Sequence, residues 1–249
     1  MNVIDQDADG GAVFVLSELY ESAEEMWHTN PRARLIVAGD TVLTLHTKTG
    51  RLVAPPKCAV WVLPGVLHRV SSTVGVALRS LYADADVDVV PASCCVVAVD
   101  SLADVLLTQA ATFGADYAPD GPQARIVRVL LDHLPDLAVV PLSLNWPQDP
   151  RTQHIADALV ADPADTGVLD DFASAAGVTA RTAARLFVKE TGCTFGQWRQ
   201  QLRLLVALEQ LGSGESVTQV ALRVGYHDVS SFIAVFRQAL GETPARYFR

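Results

Sequence analysis

Apolar positions along the chain change period twice. Through the first hundred residues they come in short runs, 33–37, 41–47, 51–54, 59–63, 68–71 and 76–82, rich in Val, Leu and Thr and separated by Gly, Pro, Asp or Ser. Short runs punctuated in this way predict strands gathered into a sandwich or barrel. From Asp100 the period becomes helical: Leu102, Val105, Leu106 and Gln109, then Ile126, Val127, Leu130, Leu131 and Leu134, fall on one face of two helices on either side of residues 114–121. Two antiparallel helices with an apolar seam suit dimerisation, and equally suit packing on the strands. Pro141, Asn145, Pro147 and Pro150 then break any regular element, so 141–149 reads as a linker.

From Arg151 the helical period continues to the end, and within it lies a repeat. Phe187, Gly192, Thr194 and Trp198 recur as Phe236, Gly241, Thr243 and Tyr247, each pair 49 residues apart. Each copy closes a short helix, a glycine and a second helix: 169–176, Gly177 and 179–190, then 217–224, Gly225 and 230–240. That is the layout of a helix-turn-helix written twice. A longer helix over 195–211, with Trp198, Leu202, Leu205, Leu208 and Leu211 at helical spacing, joins the copies and stops at 212–214.

A recognition helix needs polar side chains at its N-terminal turn and an apolar inner face that holds them toward base edges. In the first copy Thr179 is a good N-cap, Leu186 and Phe187 are anchors, and Arg181, Thr182 and Arg185 are left outward. Arginine is the commonest reader of guanine O6 and N7. In the second, Asp228 or Ser230 caps, Phe232 and Phe236 anchor, and Ser230, Ser231, Ile233 and Arg237 face the groove. His227 sits in the preceding turn, in reach of phosphate or base. One such unit also occurs in helical bundles that never touch DNA; two at a fixed period point to paired reading heads.

Composition sets the frame. At 249 residues and 50% hydrophobic, the chain has material for two cores. No apolar run nears the roughly 20 residues that span a bilayer, and residues 1–12 are polar and acidic rather than a signal sequence. Cys58, Cys94, Cys95 and Cys193 show no CxxC spacing, and vicinal Cys94 and Cys95 would form only a strained disulfide. The expectation is a soluble cytoplasmic chain with no membrane partner. Net charge is −9 overall, but residues 179–249 hold nine Arg or Lys against five acids, while the first 150 hold nine against eighteen. Phosphate contacts need only local cations, so an acidic protein can carry a basic DNA-binding end.

The segments FVKETG (187–192), FGQWR (195–199) and SVTQVALRVGYHDVSSFIAVFRQALGETPARYF (216–248) carry a family resemblance. Over about the last 80 residues the chain resembles the arabinose-regulator type of bacterial transcription factors, the AraC/XylS family, with its closing GxTPxxY. The resemblance implies a seven-helix domain whose two helix-turn-helix units enter successive major grooves, roughly 34 Å apart. Arg199, Arg203 and Arg246 are then phosphate or structural contacts, Thr243 and Pro244 start the last helix, and Tyr247 closes the core. Ala183 and Ala184 leave the first reader to Arg181 and Arg185, while Val229, Ile233 and Ala234 in the second favour apolar contact with thymine methyls.

The strand-rich part resembles the cupin barrel of the RmlC type through His28 with Asn30, residues 53–56, AVWVLPG (59–65) and His68. Metal-binding cupins place HxH, a downstream carboxylate or glutamine, and a later histidine together. Here Asn30 replaces one histidine and Arg34 follows, leaving two usual ligands, so no metal or other cofactor is expected. Arg34 would instead pair a carboxylate or phenolate of a small effector, with His28, Asn30, Trp61 and His68 shaping the walls.

The resulting expectation is an α+β chain of two domains: a cupin-like sensor barrel (1–98) with a helical hairpin (99–140), a linker (141–150) and a double helix-turn-helix domain (151–249). Its expected role is sequence-specific control of a promoter in response to an effector. Its expected partners are double-stranded promoter DNA, the effector, a second copy and RNA polymerase. The competing readings are a cupin-type metalloenzyme fused to a DNA-binding domain, and a constitutive regulator whose barrel only dimerises. The first needs the intact metal triad and is set aside, so the chain is expected not to be an enzyme.

Overall fold

The computed structural model describes residues 11–20, 23–24, 26–72, 75–87 and 91–249. Ten of the twelve N-terminal residues considered for a signal sequence lie outside these. The chain divides into two compact units, one of Met1–Leu45 with Ala54–Pro141 and the other of His46–Val53 with Leu142–Arg249. The boundary falls at the start of the expected linker, and the second unit also takes in eight residues from the strand region.

In the first unit, β1 (Val13–Tyr20), β3 (Ala33–Val37), β6 (Cys58–Val62), β8 (Val76–Ala83), β9 (Cys95–Ala98) and β10 (Val139–Val140) form one sheet in the order β1-β8-β3-β6-β9-β10. β2 (Ala23–Glu24), β4 (Leu43–Thr47) and β7 (His68–Ser72) belong to a second sheet. Among the described residues no ladder joins the two sheets and no closed barrel is detected; the strand-rich region expected as a sandwich or barrel is present as two sheets. The strand beginning at Val13 was not foreseen, because its second half, Ser17 to Tyr20, mixes polar and apolar residues.

Register decides which face each side chain takes, since a strand alternates with period two. Leu35 lies opposite both Leu81 and Trp61, whereas its neighbour Arg34 lies opposite Tyr82 and Val62 on the other face. The face with Leu35, Trp61 and Leu81 is sealed by Ala103, Leu107 and Ala110 of α1 (Ser101–Ala110) and by Val127 and Leu130 of α2 (Pro122–His133). Asp100 caps α1, accepting from the Ala103 amide at 2.8 Å, and also takes His133 Nε2 at 2.8 Å. The helical hairpin thus packs on the sheet. Its buried stripe on α1 is Ala103, Leu107 and Ala110, while Leu102 and Val105, expected in the seam, are 48% and 63% exposed. Two alanines let the helix approach the sheet closely, and an apolar pattern running almost round the helix had hidden that face.

The second unit holds seven helices: α3 (Pro150–Ala161), α4 (Leu169–Ala175), α5 (Ala180–Thr191), α6 (Phe195–Gly212), α7 (Val217–Arg223), α8 (Val229–Leu240) and α9 (Pro244–Tyr247). The 49-residue repeat is written into their junctions. Gly192 and Gly241 end α5 and α8 at φ 76° and 80°, and Thr194 and Thr243 then start α6 and α9. Phe187 meets Trp198 edge-on at 5.7 Å, as Phe236 meets Tyr247 at 5.9 Å. The repeated residues are therefore scaffold. Trp198, Leu202, Leu205 and Leu208 of α6 are fully buried.

Arg203 on α6 donates through Nε to the Pro163 carbonyl at 2.8 Å, through Nη2 to that of Asp165 at 2.9 Å and through Nη1 to that of Gly225 at 3.3 Å. Arg199 donates to the Gly167 carbonyl at 2.7 Å. Both arginines hold backbone. Gly225, the turn glycine of the second copy, has φ +85°, and a Cβ there would lie 2.6 Å from Arg203 Nη2 and 2.9 Å from Ala164 Cα. No described helix is long and apolar enough to cross a membrane.

Two stability measurements test this packing. Leu107→Ala should cost about 2–5 kcal/mol in urea unfolding, since the side chain is fully buried under the sheet; a cost below about 1 kcal/mol would mean that α1 is not sealed there. Gly225→Ala should cost about 1–3 kcal/mol through its left-handed backbone and the blocked Arg203 site, and a neutral result would count against the contact.

Candidate nucleic-acid interface

Each recognition helix begins with a side-chain cap that orients its first turn. On α5, Thr179 Oγ1 accepts from the Thr182 amide at 3.2 Å and lies 3.1 Å from Thr182 Oγ1. Ala183, Leu186 and Phe187 are buried, which turns Arg181 and Arg185 to solvent. Four residues apart, they lie one above the other on one face. Their separation by small Ala183 and Ala184 leaves these guanidinium groups the longest reach on that face.

On α8, Asp228 is the cap. Its carboxylate accepts from the Ser231 amide at 2.8 Å and from the Ser231 hydroxyl at 2.7 Å, and these bonds, the hydroxyl's first, hold the carboxyl below its ordinary pKa. The Ser231 hydroxyl, expected in the groove, is thus engaged in the cap. Phe232 and Phe236 are buried, and Ser230, Ile233 and Arg237 share an open groove with Ala234, Gln238 and Thr243. Gln238 was missed in the sequence. The signal that could have found it is the four-residue step from Ser230 through Ala234 to Gln238. His227 is exposed at the mouth of the turn, as the sequence suggests. Arg223, also exposed, is paired with Glu215, while Arg246 is exposed on α9.

The residues singled out for an effector fall into separate settings in the first unit. Arg34 is fully buried, with Nη2 3.0 Å from Glu18 Oε2, Nε 3.2 Å from Ser80 Oγ, and its guanidinium 5.3 Å from the Tyr82 ring centre. Trp61 points to the opposite face of the sheet, under the helices, so it and Arg34 cannot line one pocket wall. His28 and His68 do come together: their backbones exchange two 2.9 Å hydrogen bonds and their ring centres lie 4.4 Å apart. Each Nδ1 donates to a carbonyl two residues back, Met26 at 2.9 Å and Val66 at 2.8 Å. Asn30 is buried, and its side-chain oxygen accepts from the Arg32 amide at 2.9 Å. Among the described residues no three His, Cys, Asp or Glu side chains are grouped so as to hold a metal ion. Burial raises the thiol pKa of both Cys94 and Cys95, which keeps them as thiols at neutral pH.

Comparison with known proteins agrees with this arrangement. Residues 172–249 match the family model described as a helix-turn-helix domain. The HTH-type transcriptional regulator NimR of Escherichia coli strain K12 is 32% identical over 220 residues, 88% of this chain and 81% of that protein. The HTH-type transcriptional regulator RipA of Corynebacterium glutamicum is 37% identical over 122 residues, 49% of this chain and 35% of that protein. Among solved structures, a DNA-binding transcriptional dual regulator from Escherichia coli K-12 is 27% identical, covering 41% of this chain and 91% of that one, with a TM-score of 0.37. A near-full-length relative at this identity, together with two capped recognition helices built on one repeated scaffold, places the chain in a family: it belongs to the AraC/XylS family of helix-turn-helix transcriptional regulators.

Proposed function

We propose that this regulator binds a bacterial promoter through both recognition helices and responds to a small anionic molecule in its first unit. The observation that carries the DNA reading is the pairing of outward Arg181 and Arg185 on α5 with the Ser230, Ile233 and Arg237 groove on α8. In this reading Arg181 and Arg185 take guanine edges, Thr182 and His227 take phosphate or nearby bases, and Ile233 meets thymine methyls. Ser231 serves indirectly, by holding the cap that presents Ser230.

For the effector, the supporting observation is a fully buried guanidinium whose ion-pair partner Glu18 is itself partly exposed. An entering carboxylate or phenolate would replace Glu18 at Arg34 and satisfy the same donors. His28, Asn30 and His68 would contribute to the walls, and Trp61 would support the sheet from behind. A second copy would dock on the apolar residues that α1 and α2 leave exposed, Leu102, Val105 and Val129. RNA polymerase is the further partner at a promoter the protein activates.

Binding of the full chain to an operator fragment selected from random DNA tests the first part. Arg185→Ala should lose about 1–3 kcal/mol of discrimination between operator and random DNA while keeping the wild-type melting temperature; undiminished discrimination would reject the base contact. For the second part, a carboxylate or phenol that raises the melting temperature of the wild type should leave Arg34→Met unmoved, since only a ligand that binds the folded state stabilises it. Equal stabilisation of both proteins would remove Arg34 from the site.

A further inference from the structure

The segment expected as a linker is bonded into the first helix-turn-helix unit. β11 (Ser143–Asn145) pairs with β5 (Gly50–Ala54), setting Ser143 opposite Leu52, Leu144 opposite Arg51 and Asn145 opposite Gly50. The Trp146 amide then donates to the Thr49 carbonyl at 2.7 Å. On its other side the same segment grips the end of the first recognition helix. Glu190 accepts from the Gln148 and Asp149 amides at 3.0 and 3.2 Å and from the Thr152 hydroxyl at 3.2 Å. Trp198 Nε1 donates to the Asn145 carbonyl at 2.8 Å, and the Trp146 ring lies edge-on to Trp198 at 5.5 Å. Glu190 belongs to the last turn of α5, and Trp198 to the first turns of α6.

We propose that the hairpin tip His46–Val53 is a positioning latch for the first reading head. Seated against β11, it holds residues 143–149 on Glu190 and Trp198, and so fixes the angle at which α5 presents Arg181 and Arg185. The latch has one close point and one loose one. A Cβ on Gly50 would overlap the Leu144 carbonyl oxygen and lie 3.1 Å from Asn145 Cα, so only glycine allows the two strands to close. Arg51 Nη1 stands 3.7 Å from Glu209 Oε2, an ion pair longer than a hydrogen bond and correspondingly weak. The ladder at Ser143–Asn145 and the Trp146–Thr49 bond seat the hairpin, and their loss would release residues 143–149 from their hold on α5. The hairpin is built from the end of β4 and most of β5, so it is continuous with those strands along the chain.

The inference rests on α5 being one of two reading heads, and hydroxyl-radical footprinting of the full-length protein on the selected operator separates the two ideas. The wild type should protect two half-sites one helical turn apart; a single protected half-site would sink the two-head reading itself. Gly50→Ala should weaken protection at the α5 half-site and overall affinity by roughly 5- to 150-fold, the usual range of coupling between sites, while the α8 half-site stays protected. Arg51→Met should act in the same direction with a smaller effect, and Lys48→Ala, at the exposed turn of the hairpin, should act like the wild type. Hydrogen exchange on Gly50→Ala should show faster exchange of the amides paired across Ser143–Asn145. Unaltered exchange, intact protection of both half-sites, or equal loss at both would each overturn the latch.

Discussion

The three carbonyls gathered by Arg203 are the constraint on which the helical unit depends. A guanidinium in the middle of the connecting helix binds the loop that enters the first helix-turn-helix, at Pro163 and Asp165, and the turn of the second, at Gly225. Burial, with a further contribution from the neighbouring Arg199, lowers its pKa, yet an arginine has so high a reference value that it stays charged. Charge-assisted bonds to carbonyls offset the cost of taking it partly out of water. Because all three acceptors are backbone, the contact fixes chain positions instead of side-chain identities. The spacing of the two reading heads is thereby set by one rigid helix and one cation.

Around that centre the unit separates two kinds of residue. Phe187, Trp198, Phe236 and Tyr247, with the left-handed glycines and capping threonines between them, repeat because both copies must close the same corner. Arg181, Arg185, Ser230 and Arg237 do not repeat: 49 residues on, Arg181 gives way to Ser230 and Arg185 to Ala234, while Arg237 stands where the first copy has Val188. Ser231 shows the two demands meeting at one position. Its hydroxyl lies at the N-terminal turn where a reader would, but the nearest strong acceptor is the cap carboxylate of Asp228, and the local bond takes it.

In the first unit, alternation along strands decides what a list of candidate residues cannot. Arg34 and Trp61 come from adjacent paired strands and were assigned to one pocket, yet their register differs by one position. One residue of offset turns a side chain to the other face of a sheet. Trp61 consequently supports the helices, while Arg34 meets Glu18, Ser80 and Tyr82. Glu18 was invisible as its partner because it enters from β1, a strand that the sequence pattern did not reveal.

What the sequence determined by itself is the local and repeated part of the molecule: the helices from Pro150 onward, the cap at Thr179, the duplicated corner and the basic end, all of which follow from side chains within a few turns of one another. Helical period and capping act over such short spans that one segment carries its own signal. Tertiary structure alone decided which face of α1 is buried, that the described strands form two sheets, and that Ser143 to Asn145, within the linker, is a strand held against Gly50. Those outcomes depend on partners more than ninety residues away for β11, and on opposing surfaces for α1. A prolyl-rich stretch read alone contains no trace of the backbone that will come to lie beside it.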